Sequence, residues 1–165
     1  RDLDPPPFTG EVARRAGEDA GVKIWRISNF ADLSGRGGLL SAGRWNFRGT
    51  PVVYCADHPA TALLEMIVHV DPQDLPASDQ LLDIDVPDGT AIAAPALPDD
   101  WRTDIEATRR IGSDFVAAGR EAVMAVPCAI VPQATNYLLA PALLGRDGIT
   151  VLHAARHAID ERLLG

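Results

Sequence analysis

The sequence predicts a single α+β domain, with mixed or antiparallel sheets and flanking helices, and three observations carry that reading. Short strand-like runs outnumber the helical stretches between them, so strands and helices do not alternate as a doubly wound fold requires. The length of 165 residues suits one domain with a substantial core. Hydrophobic residues make up 47% of the chain, well above the disordered range.

The elements follow in order. Residues 1–21 are polar and include Pro5-Pro6-Pro7, which suggests an extended arm with one short helix, leaving 22–165 as the domain. Val22 to Ser28 alternates as a strand does. A glycine-rich loop spans Ser34 to Gly43. Pro51 to Ala56 is a compact strand, and Pro59 then opens a helix reaching about Val70, since proline is tolerated in a first helical turn. Leu81 to Val86 alternates apolar residues with acids, the pattern of a half-buried strand, and Pro87-Asp88-Gly89 makes a turn. Residues 94–102 read as loop. Thr103 to Ala122 is the longest helical stretch, with Gly112 and Gly119 as weak points. Val123 to Val131 is apolar but carries Pro127, as expected of an edge or bulged strand. Ile149 to Leu152 reads as a final strand, and Ala154 to Leu164 as a closing helix.

Composition narrows the partners. The formal net charge of −8 opposes a phosphate-tracking nucleic-acid surface and docking on an anionic membrane. It leaves room for a small anionic ligand held by two or three converging arginines. No apolar run approaches the roughly 20 residues of a membrane span. The charged, proline-rich start has no apolar signal core behind it. Two cysteines far apart, Cys55 and Cys128, form neither a disulfide framework nor a thiolate cluster, so a reducing cytoplasmic setting is expected.

Glu65 is the most informative position. Its helix, Ala62 to Val68, is apolar on nearly every face and is expected to be buried, where a carboxylate must be paired, protonated or turned toward a cavity. A buried ion pair or a helix-end position is the bland reading; a functional acid is the sharper one. His69, one turn on, either orients Glu65 or caps the helix end, and the cap is the preferred reading. Gly43-Arg44-Trp45-Asn46 presents an arginine fork on a loop, which suits a pyrophosphate or carboxylate, with Asn46 fixing the turn. A core tryptophan beside a surface arginine would look the same. The glycines lack the strand–GxGxxG–helix context of a dinucleotide fingerprint.

Arg26 lies among apolar neighbours in the first strand, where exposure on a polar edge is the simple account. Tyr54 reads as a core tyrosine with its hydroxyl satisfied. Cys55 and Cys128 read as small core residues. His153 and His157 stand four apart, a helical zinc spacing, but no third ligand is evident and no metal is expected.

Taken together, the chain resembles the RES-domain toxins. The resemblance rests on Trp25-Arg26, the glycine loop, Gly43-Arg44-Trp45-Asn46, Gly49-Thr50-Pro51-Val52-Val53-Tyr54 and Ala62-Leu63-Leu64-Glu65. It continues through Val126-Pro127-Cys128-Ala129-Ile130-Val131-Pro132 and Asn136-Tyr137-Leu138-Leu139, from about Lys23 to Pro141. It implies a fold similar to ADP-ribosyltransferase toxins and the toxin half of a bacterial toxin–antitoxin pair that consumes NAD, with an Xre-like antitoxin as partner. Under it, Arg26 and Arg44 match the family's arginines and Tyr54 its site tyrosine. Glu65 matches its glutamate, Cys128 takes the place of its serine, and Asn136 joins the NAD-binding set. Glu65, Arg44 and Tyr54 are the implied catalytic residues. A thiol is a weaker hydrogen-bond donor than a hydroxyl, and Phe115 and Ala140 also depart from the family pattern. Three functions remain open at this point: NAD cleavage with ADP-ribose passed to water or phosphate, mono-ADP-ribosylation of a cellular protein, or an antitoxin-binding domain without activity.

Overall fold

The structure, a computed structural model, describes residues 21–69 and 78–163. Except for Gly21, the expected N-terminal arm lies outside them. Seven strands form one sheet in the order β4-β5-β6-β2-β1-β3-β7. The strands are β1 (Val22–Ser28), β2 (Val53–Ala56), β3 (Ser78–Val86), β4 (Ile92–Ala93), β5 (Val123–Pro127), β6 (Thr135–Leu139) and β7 (Thr150–Ala158). The β4–β5 pair is parallel and the others are antiparallel, so the sheet is mixed. The helices are α1 (Arg36–Leu40), α2 (Pro59–Ile67), α3 (Ile105–Ala118) and α4 (Leu144–Asp147). The α+β class expected from the sequence is the class observed.

Alternation along the strands sorts the side chains into two cores. One face gathers Ile24, Val53, Cys55, Leu82, Ile84, Tyr137 and Leu139, drawn from both halves of the sheet. The other gathers Trp45, Val52, Phe115, Met124, Val126 and Leu138, with Tyr54 packed at its margin. Strand β5 contributes to both, which explains its uninterrupted apolar sequence. Strands β1 and β2 share one register pair, Trp25 opposite Ala56, so the two halves of the sheet meet over a short seam. That pair places Trp25 and Ile27 on the Tyr54 face, and Arg26 on the Cys55 face.

Helix α2 starts where expected, with His58 accepting from the Ala60 amide as its N-cap and Pro59 in the first turn. It ends at Ile67, short of Val70. Its burial is less than its sequence suggests: Ala62 is buried, while Leu63, Leu64, Glu65, Met66 and Ile67 are half-buried. Helix α3 is capped by Asp104 and stops at Gly119, whose φ of 59° is the left-handed ending that glycine favours. Gly112 is not a weak point. A Cβ there would lie 1.9 Å from the Trp45 carbonyl oxygen, so glycine is what lets α3 press against the Arg44 loop.

Four expectations are corrected. The glycine-rich loop contains the short helix α1. Strand β5 is not an edge, because β4 and β6 flank it and Pro127 sits at its last position, where a missing N–H costs least. Strand β6, not recognised as an element from sequence, pairs with both β2 and β5. Among the described residues the closing α-helix is not found: residues 150–158 form one strand, β7, paired along its length with β3, and a short 3-10 turn, Glu161–Leu163, follows. The alanines and arginines there favour a helix by propensity, but pairing with an existing strand overrides it. His153 and His157 therefore occupy a strand, and their spacing of four has no helical meaning.

Candidate functional site

The candidate site is organised around the Glu65 carboxylate. Its Oε1 accepts a hydrogen bond of 2.6 Å from Asn136 Nδ2 and one of 3.1 Å from the Cys128 thiol. Its Oε2 lies 3.6 Å from His69 Nε2, and the Glu65 side chain remains 25% exposed. The acid thus meets the demands placed on a half-buried charge, with two donors on one oxygen, His69 near the other and a side chain that is partly exposed. His69 sits beside Glu65, so the less favoured of its two sequence readings is the one with a contact behind it.

Asn136 lies on β6 and Cys128 just after β5, both in register with the second core face. The Cys128 sulfur also accepts from the Val131 amide, which bends residues 128–131 around it. Burial raises the thiol's pKa, the Val131 contact lowers it and the bond to Glu65 raises it, with burial the largest influence. Cys128 therefore stays protonated and donates at neutral pH. It is more than the small core residue expected, because it bonds the acid directly. Cys55 does match that expectation, with its thiol raised to about 12 by burial. Asn136 Oδ1 is buried with no hydrogen-bond partner among the described residues, an uncommitted acceptor next to the acid.

The second part of the site is the loop Gly43–Asn46. Asn46 is fully buried and fixes this turn, as its sequence suggested. Its Nδ2 donates to the carbonyls of Gly38, Ser41 and Phe47, and its Oδ1 accepts from the Gly43 amide. Tyr54 completes the knot: its hydroxyl donates to Asn46 Oδ1 at 2.7 Å and accepts from the Trp45 amide at 2.9 Å. A Cβ on Gly43 would come within 2.6 Å of the Tyr54 hydroxyl, so this close approach requires glycine. The Tyr54 hydroxyl is pushed to about 12, mainly by burial, with Arg109 and Arg44 lowering it and Glu65 raising it. By register Tyr54 shares its face of the sheet with Asn136, so the loop that its hydroxyl binds lies on the same face as this Glu65 partner. The hydroxyl is committed to the loop, and what Tyr54 leaves toward the site is its ring.

Arg44 extends over Trp101, with its guanidinium carbon 6.0 Å from the ring centroid, and donates to the Arg102 carbonyl at 3.1 Å. Trp101 in turn stacks on buried Trp45 at 6.0 Å. The structure thus brings Glu65, Arg44, Tyr54, Cys128 and Asn136 to one side. Arg26 is not among them. Its guanidinium donates to the Tyr54 carbonyl at 3.2 Å and to Ser28 Oγ at 3.3 Å from the Cys55 face, and its Nε is buried without a partner. Strand alternation, visible in the sequence, separates it from Tyr54, but the pairing of β1 with β2 was needed to read that separation. For His69 the sequence favours a helix-end cap over a contact with Glu65; Arg109 and Trp101 carry no local signal and join the loop only through packing.

The fold is an α+β domain with one mixed sheet, in which a carboxylate is held by Asn136 on β6 and Cys128 just after β5. The matching family model is the RES domain, over residues 23–157, and the chain belongs to that family. It is 46% identical to "Toxin Res" of Pseudomonas putida over 121 residues, covering 72% of this chain and 83% of the relative. It is 36% identical to the "Prs ADP-ribosylating toxin" of a Sphingobium species, covering 87% of this chain and 97% of the relative. A chain from the crystal structure of the M. tuberculosis MbcT–MbcA toxin–antitoxin complex shares the fold, with a TM-score of 0.64, 16% identity and 86% of each chain covered. Among the described residues no helix is long and apolar enough to cross a membrane.

Proposed function

We propose that this protein is the toxin of a bacterial toxin–antitoxin pair and acts by cleaving the nicotinamide–ribose bond of NAD, passing ADP-ribose to water or phosphate. The observation that carries the reading is the partly exposed Glu65 carboxylate, bonded through Oε1 to Asn136 and Cys128, with Asn136 on the same sheet face as Tyr54, whose hydroxyl binds the Arg44 loop. In the reaction the bond between the ribose carbon and the ring nitrogen breaks, its electron pair leaving with neutral nicotinamide. Positive charge builds on the ribose, and a fixed carboxylate stabilises it. The incoming water or phosphate bonds to that carbon, and a water's proton passes to Glu65. Arg44 is the fork for the donor's pyrophosphate, and the Tyr54 ring is the surface for nicotinamide. Cys128 and Asn136 hold the acid in place, and no metal is needed because the leaving group is cationic in the ground state.

A second reading, transfer of ADP-ribose to a protein, uses the same donor site and is favoured by the name of the Sphingobium relative. The intact Glu65 contacts speak against a decayed site that only binds an antitoxin. The proposed partner is an Xre-like antitoxin, and the proposed setting is the cytoplasm. Incubating the pure protein with labelled NAD, with and without cell lysate, separates the readings. Free ADP-ribose or its phosphate ester supports degradation, label on a protein band supports transfer, and untouched NAD in both rejects the enzyme.

A further inference from the structure

Arg109 lies in the middle of α3, and its Nε donates to the Gly43 carbonyl at 2.8 Å. One residue earlier, Thr108 is fully buried and its hydroxyl donates to the Arg44 carbonyl at 2.8 Å. With Gly112 pressed on Trp45, this stripe of α3 grips the Arg44 loop at three successive points. Using Nε for the anchor fixes the guanidinium plane and leaves Nη1 and Nη2 without a hydrogen bond to any described residue. The nearby acid on the same helix, Glu106, is taken by Arg110 at 2.8 Å, and Arg109 makes no ion pair among the described residues. A half-buried arginine with a pinned Nε and two free terminal nitrogens is a preorganised anion fork.

Its position matters because Arg26 is on the other face of the sheet. The side that carries Glu65 and Tyr54 still needs a second cation to match a doubly charged pyrophosphate, and Arg109 stands there. The Gly43 carbonyl that it binds belongs to the residue packed directly against the Tyr54 hydroxyl.

We infer that Arg109 is a substrate-binding residue that joins Arg44 in holding the pyrophosphate of the nucleotide donor. The identity of the anion rests on the proposed NAD reading; the anion site itself does not.

The test uses the full chain and three probes: ADP-ribose, inorganic pyrophosphate and nicotinamide riboside, a donor with no phosphate. Arg109→Gln should weaken ADP-ribose and pyrophosphate binding by about 10- to 100-fold, as loss of a charged hydrogen-bonding partner does. Arg109→Lys should fall between, and Arg110→Gln should bind as the parent does. Catalytic efficiency with NAD should fall by a similar factor in Arg109→Gln, while that with nicotinamide riboside holds. Equal losses with both donors would assign Arg109 to holding the loop and overturn the inference. So would unchanged ADP-ribose affinity in Arg109→Gln, or a parent that binds neither ADP-ribose nor pyrophosphate. If the parent binds pyrophosphate through Arg109 yet leaves NAD intact, the anion site stands and the NAD reading fails.

Discussion

Asn136 on β6 donates its amide to Glu65 on α2 at 2.6 Å, across 71 positions of sequence. The bond ties the acid to a strand shared by both halves of the β2–β6–β5 ladder, so the carboxylate's position is set by the sheet and not by its own helix. Glu65→Gln keeps an oxygen that can accept from Asn136 but removes the charge. The expected outcome is donor binding close to the parent, with turnover lower by a factor of about 10² or more. Equilibrium binding of NAD alongside single-turnover rates checks both halves, and parental turnover in this variant would remove Glu65 from the chemistry.

Cys128 supplies the second donor to the same oxygen. Cys128→Ser, with a stronger donor and a smaller atom, should keep or raise activity, whereas Cys128→Val should lower it by leaving Glu65 one partner short. The difference expected is about 0.5–1.5 kcal/mol in transition-state stabilisation, a single hydrogen bond's worth. Steady-state efficiency with NAD for the two variants decides, and equal values would mean that the thiol only fills space.

Both tyrosines of the chain, Tyr54 and Tyr137, have hydroxyls raised to about 12, chiefly by burial. A folded pKa above the unfolded value near 10 means stability fully present below about pH 10 and lost as pH rises toward 12. Tyrosinate absorbance should therefore stay flat through pH 10 and rise together with loss of tertiary structure. A tyrosine titrating near pH 10 in a protein still folded by near-ultraviolet circular dichroism would contradict the burial described.

Tyr54→Phe removes the hydroxyl that joins the Trp45 amide to Asn46. Leaving the Trp45 amide unpaired, with Asn46 Oδ1 keeping only the Gly43 amide, should cost about 1–3 kcal/mol of stability. It should also loosen the turn bearing Arg44, so the KM for NAD should rise more than kcat falls. Urea unfolding and steady-state kinetics give the two numbers, and unchanged stability would show that water replaces the hydroxyl without loss.

Gly112→Ala puts a methyl where the Trp45 carbonyl stands. Backbone cannot yield as a flexible side chain can, so α3 must shift, at a cost of about 1–3 kcal/mol or more. Gly119→Ala, strained by its positive φ but in open space, should cost about 1 kcal/mol. Reversal of that order in urea unfolding would contradict the close packing of α3 on the loop.

Local chemistry alone determined much of this protein. Alternation drew β1 to its observed bounds, proline and its capping neighbour started α2 correctly, and an acid in an apolar helix singled out Glu65. These signals are legible because each depends on residues a few positions apart. Tertiary structure decided the rest. Strand β7 was written in helix-forming residues and became a strand because β3 offered it a ladder. Arg26 was separated from the site by the way β1 meets β2, and Arg109 was brought to it by the docking of α3 on Gly43. Which face a side chain occupies and which carbonyl fixes it depend on contacts between residues tens of positions apart, and no local pattern encodes those.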